Sequence, residues 1–135
     1  MKTVNRYTSN EFHDWQREHL PGIVIQDIDA WALVISEPTS YRPIALIELK
    51  RSTESPERWH PYANDRPNYA SLVALARAAG IPLYIVYHQK NKAIEDDDLF
   101  HVFWLKGTRP DYHGRHRLVR AADFAHHFPQ MFWSA

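Results

Sequence analysis

The sequence predicts an α/β domain with a mixed central β-sheet flanked by helices, and three observations predict it. Short runs rich in aliphatic and β-branched residues, "IVIQDIDAWALVIS" at 23–36, "IALIEL" at 44–49 and "IPLYIVYH" at 81–88, read as strands. An amphipathic segment, "PNYASLVALARAAG" at 67–80, reads as a helix connecting the last two of these runs. The length, 135 residues with no repeat, low-complexity tract or linker, is that of one domain spanning 1–135 around a single core.

A first helix is expected from about Ser9 to His19. Ser9 or Asn10 can cap it, Phe12 and Trp15 recur at helical spacing, and "PG" at 21–22 ends it. The run at 23–36 divides into a strand near 23–27 and a second near 29–36. After the turn "EPTSYRP" comes a third strand at 44–50, which should pair antiparallel with the second. Residues 52–66, with two prolines and many polar groups, form a long loop, and long loops in small domains are often functional. In the helix that follows, Pro67 suits the first turn, Gly80 the C-terminal cap, and Tyr69, Leu72, Val73 and Ala76 share one face. Strands at 81–88 and 99–106 come next, separated by "EDDD" at 95–98. The tail starts extended and turns helical from about Ala121, with Phe124, Phe128, Met131 and Phe132 as an aromatic stripe that reads as core packing.

Composition narrows the function classes. Hydrophobic residues make up 44% and charged residues 24%, and no stretch is apolar enough to span a membrane. The first twelve residues hold no apolar signal core and the chain has no cysteine, so thiolate zinc sites and cysteine nucleophiles are excluded and an intracellular, cytoplasmic protein is expected. A net charge of zero is unusual for a protein that holds nucleic acid along an extended track. The basic residues nevertheless gather, Lys50, Arg51, Arg58 and Arg66 in one place and Arg109, Arg115, Arg117 and Arg120 in another. Either cluster could meet phosphates or form a solvated surface balanced by the acidic run.

The chemistry concentrates in "IALIELKRS" at 44–52. Positions i and i+2 of a strand lie on one face, roughly 6.6 Å apart, so Glu48 and Lys50 project together at the end of a run that should be buried. A charge there is costly unless it is paired or holds a metal. Upstream, "QDIDAW" sets Asp27 and Asp29 two apart, and a hairpin between the second and third strands would carry Asp29 toward Glu48. Converging carboxylates repel unless a cation neutralises them, and oxygen donors of this kind suit Mg²⁺ or Mn²⁺. Asp, Glu and Lys are then a sufficient set for phosphodiester hydrolysis. The competing account is a structural Glu–Lys pair at a strand end.

The arrangement "DIDAWALV", then "IALIELKRS", then "NYASLVALARAAG" and "PLYIVYH", over roughly residues 9–88, resembles the PD-(D/E)xK nuclease superfamily. It is most similar to small single-domain members such as Holliday junction resolvases and related phage or mobile-element nucleases. The resemblance implies a restriction-endonuclease-like αβββαβ core, here followed by a C-terminal strand and helix, and a Mg²⁺-dependent deoxyribonuclease acting on DNA. It places the metal-binding aspartate on Asp29 or Asp27, the metal-binding glutamate on Glu48, the catalytic lysine on Lys50 and a further ligand on the carbonyl of Leu49. An extra acidic residue on the first helix falls on Glu11, Asp14 or Glu18, with Glu11 preferred. The Gln or Tyr that many members carry on the helix after the lysine corresponds to Tyr69 or Asn68. No proline precedes either aspartate, which departs from the family's pattern.

Other chemistries find less. Nine histidines include no H-E-x-x-H, and the adjacent His126 and His127 point to different helix faces. His113 and His116 read as loop residues, and His60, just beyond Lys50, is a candidate for touching substrate together with Arg51 and Arg58. There is no G-x-S-x-G, P-loop or G-x-G-x-x-G. Trp31 and Trp104 sit in strand patterns and read as core. Trp59, in the polar loop, is either a base-stacking aromatic or, by preference, a loop anchor. A second hypothesis is a non-catalytic nuclease-fold module that binds nucleic acid or a protein, which the neutral net charge favours. Symmetric cutting of two strands wants two sites, so a homodimer is the candidate assembly.

Overall fold

The computed structural model describes residues 5–23, 25–38, 40–90, 93–105 and 115–128. Helix α1 (Asn5–His19) ends at the Pro21–Gly22 turn, where Gly22 takes φ of 81°, a left-handed conformation that glycine adopts without a Cβ penalty. Strands β1 (Ala30–Glu37) and β2 (Ser40–Ser52) form an antiparallel hairpin in which Ala30 lies opposite Ile47 and Trp31 opposite Leu46. A single 3₁₀ turn (Ala63–Asp65) leads into helix α2 (Arg66–Ala79). Strands β3 (Leu83–Gln89), β4 (Leu99–Leu105) and β5 (His116–Arg120) complete the sheet, and α3 (Ala121–His127) follows directly.

The sheet runs in the order β1-β2-β3-β4-β5, with β2 and β3 parallel and every other pair antiparallel. A parallel pair needs a crossover, and the loop after β2 together with α2 supplies it. Helix α2 ends where the sequence places its glycine. Gly80 has φ of 71°, its N–H reaches the Arg77 carbonyl at 3.2 Å, and the Ile81 N–H reaches the Ala76 carbonyl at 2.9 Å, which satisfies the last carbonyls of the helix.

β3 is the centre of the fold. Its residues from Leu83 to Tyr87 are all buried, as expected of a strand covered on both faces. On one face Leu83, Ile85 and Tyr87 join Leu46 and Phe103 against Tyr69, Leu72 and Val73 of α2. On the other, Tyr84 and Val86 join Ala45, Val102, Trp104 and Val119, with Phe124 and Phe128 packed over them. The expected aromatic stripe is thus core packing at Phe124 and Phe128, while Met131 and Phe132, like Arg109 and His113, lie outside the described residues.

Three expectations need correction. Residues 23 and 25–28 form no strand, so the β1–β2 hairpin stands where three strands were expected. In place of a strand ladder, the segment makes contacts with helices, Gln16 Nε2 donating to the Ile23 carbonyl at 2.9 Å and Gln26 reaching across to Asn68 of α2. Trp31 is 56% exposed, because β1 is the edge strand and α2 does not extend over it. Tyr69, expected at the substrate, is fully buried beneath the sheet face. No described helix is long and apolar enough to cross a membrane.

The loop between β2 and α2 is held from below. Trp59 is only 4% exposed, its ring stacked on Tyr87 at 4.5 Å and edge-on to Phe103 at 5.6 Å, so the anchor account of this residue is the structural one. The Tyr87 hydroxyl lies 2.6 Å from the Glu54 carbonyl, and the buried His101 donates from Nδ1 to the Pro56 carbonyl at 2.6 Å. With Nδ1 as donor, His101 Nε2 accepts from His116 Nδ1 at 2.9 Å.

Burial holds the His101 pKa below its ordinary value, and the nearby His116 and His60 add to this, against the Pro56 hydrogen bond and the Glu57 charge, which pull it up. An imidazole that stays neutral in the fold and protonates more readily when unfolded gives stability that is complete above the ordinary histidine pKa of about 6.5 and is lost as pH falls through the lower folded value. The melting temperature should therefore drop between pH 7.5 and 5, and His101→Phe should flatten that dependence. Equal slopes for the two proteins would remove His101 as its source.

Candidate functional site

The end of β2 carries the charges. Ile44, Ala45 and Leu46 are buried, and the same run places Glu48 at 7% exposure with Lys50 two residues on. Glu48 is therefore a carboxylate at the rim of the core, and it is supplied with partners. Asn68, in the first turn of α2, donates from Nδ2 to Glu48 Oε2 at 2.8 Å, and Lys50 Nζ lies 3.6 Å from the same oxygen. The N-terminal end of a helix favours such a negative charge.

Asp29, immediately before β1, completes the group. Its Oδ2 accepts from the backbone N–H of Leu49 at 2.9 Å, and its charge is near enough to act on Glu48. The hairpin register is the reason: with Ala30 opposite Ile47, the residue before Ala30 falls beside the one after Ile47. Burial raises the Glu48 pKa above the usual carboxylate value, the Asp29 charge and hydrogen bond raise it further, and Asn68 and Lys50 oppose them without cancelling the shift.

Lys50 is held from two sides. Its ammonium is 3.6 Å from Asp65 Oδ2 as well as from Glu48, and sits 5.7 Å over the Tyr69 ring. Asp65 occupies the N-cap position of α2, yet its side chain makes no capping hydrogen bond and turns to the lysine instead.

The fold thus brings Asp29, Glu48, Lys50 and the Leu49 backbone together, and it separates others. Of the two aspartates, Asp29 is the one set against Glu48. The side chain of Asp27 is 74% exposed and faces His13 of α1 at 3.7 Å. Glu11 is exposed, and among the described residues no contact ties it to Glu48; Asp14 pairs with Arg17. Arg51, Arg58 and His60 are exposed around the end of β2 and the following loop, where a large ligand could reach them. Tyr69 contributes its ring face beneath Lys50, and the neighbouring Asn68 makes the polar contact.

Asp65 and Gln26 are the partners that sequence reasoning missed. Asp65 stands three residues before Asn68, one helical turn, which was a usable signal for a shared location. Gln26 is a lone amide in a β-branched run, and nothing in that pattern points to α2. A pocket of about 190 Å³, lined by Pro56, Glu57, His88, Asp97 and Leu99 among others, contains none of the Asp29–Glu48–Lys50 group.

Donor chemistry decides what the group can hold. Among the described residues no three His, Asp or Glu side chains gather as a metal cluster, and the candidate centre offers two carboxylates. Both are hard oxygen donors, and two neighbouring carboxylates suit a divalent cation, so the residues fit Mg²⁺ or Mn²⁺. No protein-family model, no curated protein and no solved structure matches this chain.

Proposed function

We propose that this chain is a metal-dependent nuclease that hydrolyses DNA phosphodiester bonds, on a restriction-endonuclease-like fold and in an intracellular, cytoplasmic setting. The observation that carries the proposal is the convergence of Asp29, Glu48 and Lys50 at one strand end, Asp29 held by the Leu49 N–H and Glu48 by Asn68 and Lys50. Asp29 and Glu48, with the Leu49 carbonyl, would hold Mg²⁺ or Mn²⁺. When bound, that ion supplies Lewis acidity and a lowered pKa for its water.

The chain's own residues have separate tasks. Asn68 fixes one oxygen of Glu48, and the Leu49 N–H fixes Asp29, so both carboxylates are oriented by the fold. Lys50, a cation held between Glu48 and Asp65, orients a water or stabilises charge developing on the phosphate. Arg51, Arg58 and His60 are the phosphate contacts of this proposal, and their exposure suits a polymer lying across the loop. A homodimer belongs to the same reading, since two sites cut two strands.

The direct test is incubation of plasmid, linear single-stranded and four-way-junction DNA with Mg²⁺, Mn²⁺ or EDTA. Metal-dependent cutting is expected, and folded protein that cuts none of them with either metal overturns the reading. A calorimetric titration with Mn²⁺ should give heat that is lost in Glu48→Ala; equal heats would move the metal elsewhere. The net charge of zero favours one second reading, a nuclease-fold module that binds nucleic acid or a protein without cutting it. DNA retention on a filter without cleavage would select it.

A further inference from the structure

Gln26 lies outside every strand and helix, three residues before Asp29, yet its amide is closely engaged with α2. Its Nε2 is 2.5 Å from Asn68 Oδ1 and 3.3 Å from the Asn68 backbone carbonyl. Asn68 in turn donates from Nδ2 to Glu48 Oε2. The bond directions in this chain follow from one end. An ionised carboxylate only accepts, so Asn68 must present its NH₂ to Glu48 and its oxygen to Gln26, and Gln26 must present its NH₂ to that oxygen. Both acceptors around Gln26 Nε2 belong to Asn68, which leaves the pair a single consistent orientation.

We infer that Gln26 is a positioning residue for Glu48, acting through the Asn68 amide to fix the direction in which the carboxylate is held. The terminal torsion of a glutamate is broad and roughly two-fold, so a carboxylate at the end of a strand does not orient itself. A donor whose own flip state is locked by a second amide does this for it. Nearer the chain start, the buried Gln16 of α1 donates to the Ile23 carbonyl at 2.9 Å. The path from Gln26 through Asn68 of α2 to β2 thus ends on one carboxylate oxygen of Glu48. Outer partners of metal-holding side chains commonly matter in this way. The role for the metal rests on the nuclease proposal, whereas the bond directions do not.

The test uses near-isosteric exchanges. Gln26→Glu sets an acceptor against Asn68 Oδ1. If Asn68 turns over to satisfy it, its oxygen then meets the Glu48 carboxylate. Either way one acceptor faces another, and the melting temperature should fall. Adding Glu48→Gln supplies a donor at position 48, so the side-chain bonds can run in reverse, and stability should recover in part relative to Gln26→Glu alone, the Asn68 backbone carbonyl still facing an acceptor. A double variant that melts no higher than Gln26→Glu, or a Gln26→Glu protein as stable as the wild type, overturns the inference. If Gln26→Glu does not fold, folding of the double variant supports it and failure of both overturns it.

Metal affinity gives a second readout. Gln26→Met, which keeps the volume and removes the donor, should weaken Mn²⁺ binding in calorimetry by roughly 10-fold while the fold is retained. Unchanged affinity overturns the positioning role. Wild-type protein that binds no Mn²⁺ would count against the nuclease proposal, and the melting comparison would still decide the bond directions.

Discussion

Glu48→Ala and Lys50→Ala should each fold normally and lose DNA cleavage by roughly 10²–10³-fold or more, the scale set when one electrostatic contributor is removed from a preorganised site. Normal folding is expected because each truncation leaves its neighbours partnered. Without Glu48, Lys50 keeps Asp65, and Asn68 keeps Gln26. Without Lys50, Glu48 keeps the Asn68 amide. Removing Glu48 also relieves the repulsion with Asp29. Cleavage assays beside circular dichroism separate the two effects, and both variants cutting at the wild-type rate would end the assignment of this site. Asp29→Ala should behave like Glu48→Ala, whereas Asp27→Ala should cut normally, since its side chain lies 74% exposed toward His13.

The largest stability effect should come from the loop. Trp59→Ala should cost about 3–5 kcal/mol, the range for removing a buried large aromatic. The ring is 4% exposed and lies between Tyr87, stacked at 4.5 Å, and Phe103, edge-on at 5.6 Å. Trp59→Phe should recover part of the loss by keeping some of the stack. Urea unfolding measures both, and a loss under about 1 kcal/mol for the alanine would mean that the loop carries its weight elsewhere. Because Arg58 and His60 flank the anchor, the alanine variant should also weaken DNA retention before it unfolds.

How much of this was legible in the sequence depends on whether the deciding contact was local. Helix α2 was readable because Pro67, Gly80 and the face of Tyr69, Leu72, Val73 and Ala76 all agree, and each is a property of the segment itself. The antiparallel β1–β2 pairing and the meeting of Asp29 with Glu48 were readable because two neighbouring strand patterns joined by a turn pair as a hairpin, whereas the earlier start of β2 at Ser40 and the two register shifts along the pair were not. The strand expected near 23–27 was misread because β-branched composition reports fitness for a sheet, and whether a neighbouring strand accepts the segment is a tertiary matter. The same holds for Trp31, whose strand pattern cannot tell an edge from a centre. Gln26 and Asp65 were invisible for another reason. Their partners, Asn68 and Lys50, are reached only once α2 has crossed over the sheet, and no spacing in the sequence encodes that placement for Gln26.

The parallel pairing of β2 with β3 has a consequence for the order of events during synthesis. All three candidate residues have been made once residue 50 is added, and the hairpin that joins Asp29 to Glu48 is local enough to form early. Asn68, Asp65 and the buried floor beneath Lys50 arrive only with α2, whose packing surface is complete once β3 lies beside β2 from Leu83 to Gln89. Loop closure across that crossover makes it the slow step. A chain still emerging from the ribosome therefore carries every candidate catalytic group before Glu48 and Lys50 have their α2 partners, so competence should appear, in refolding experiments, with the burial of Tyr87 and Trp59.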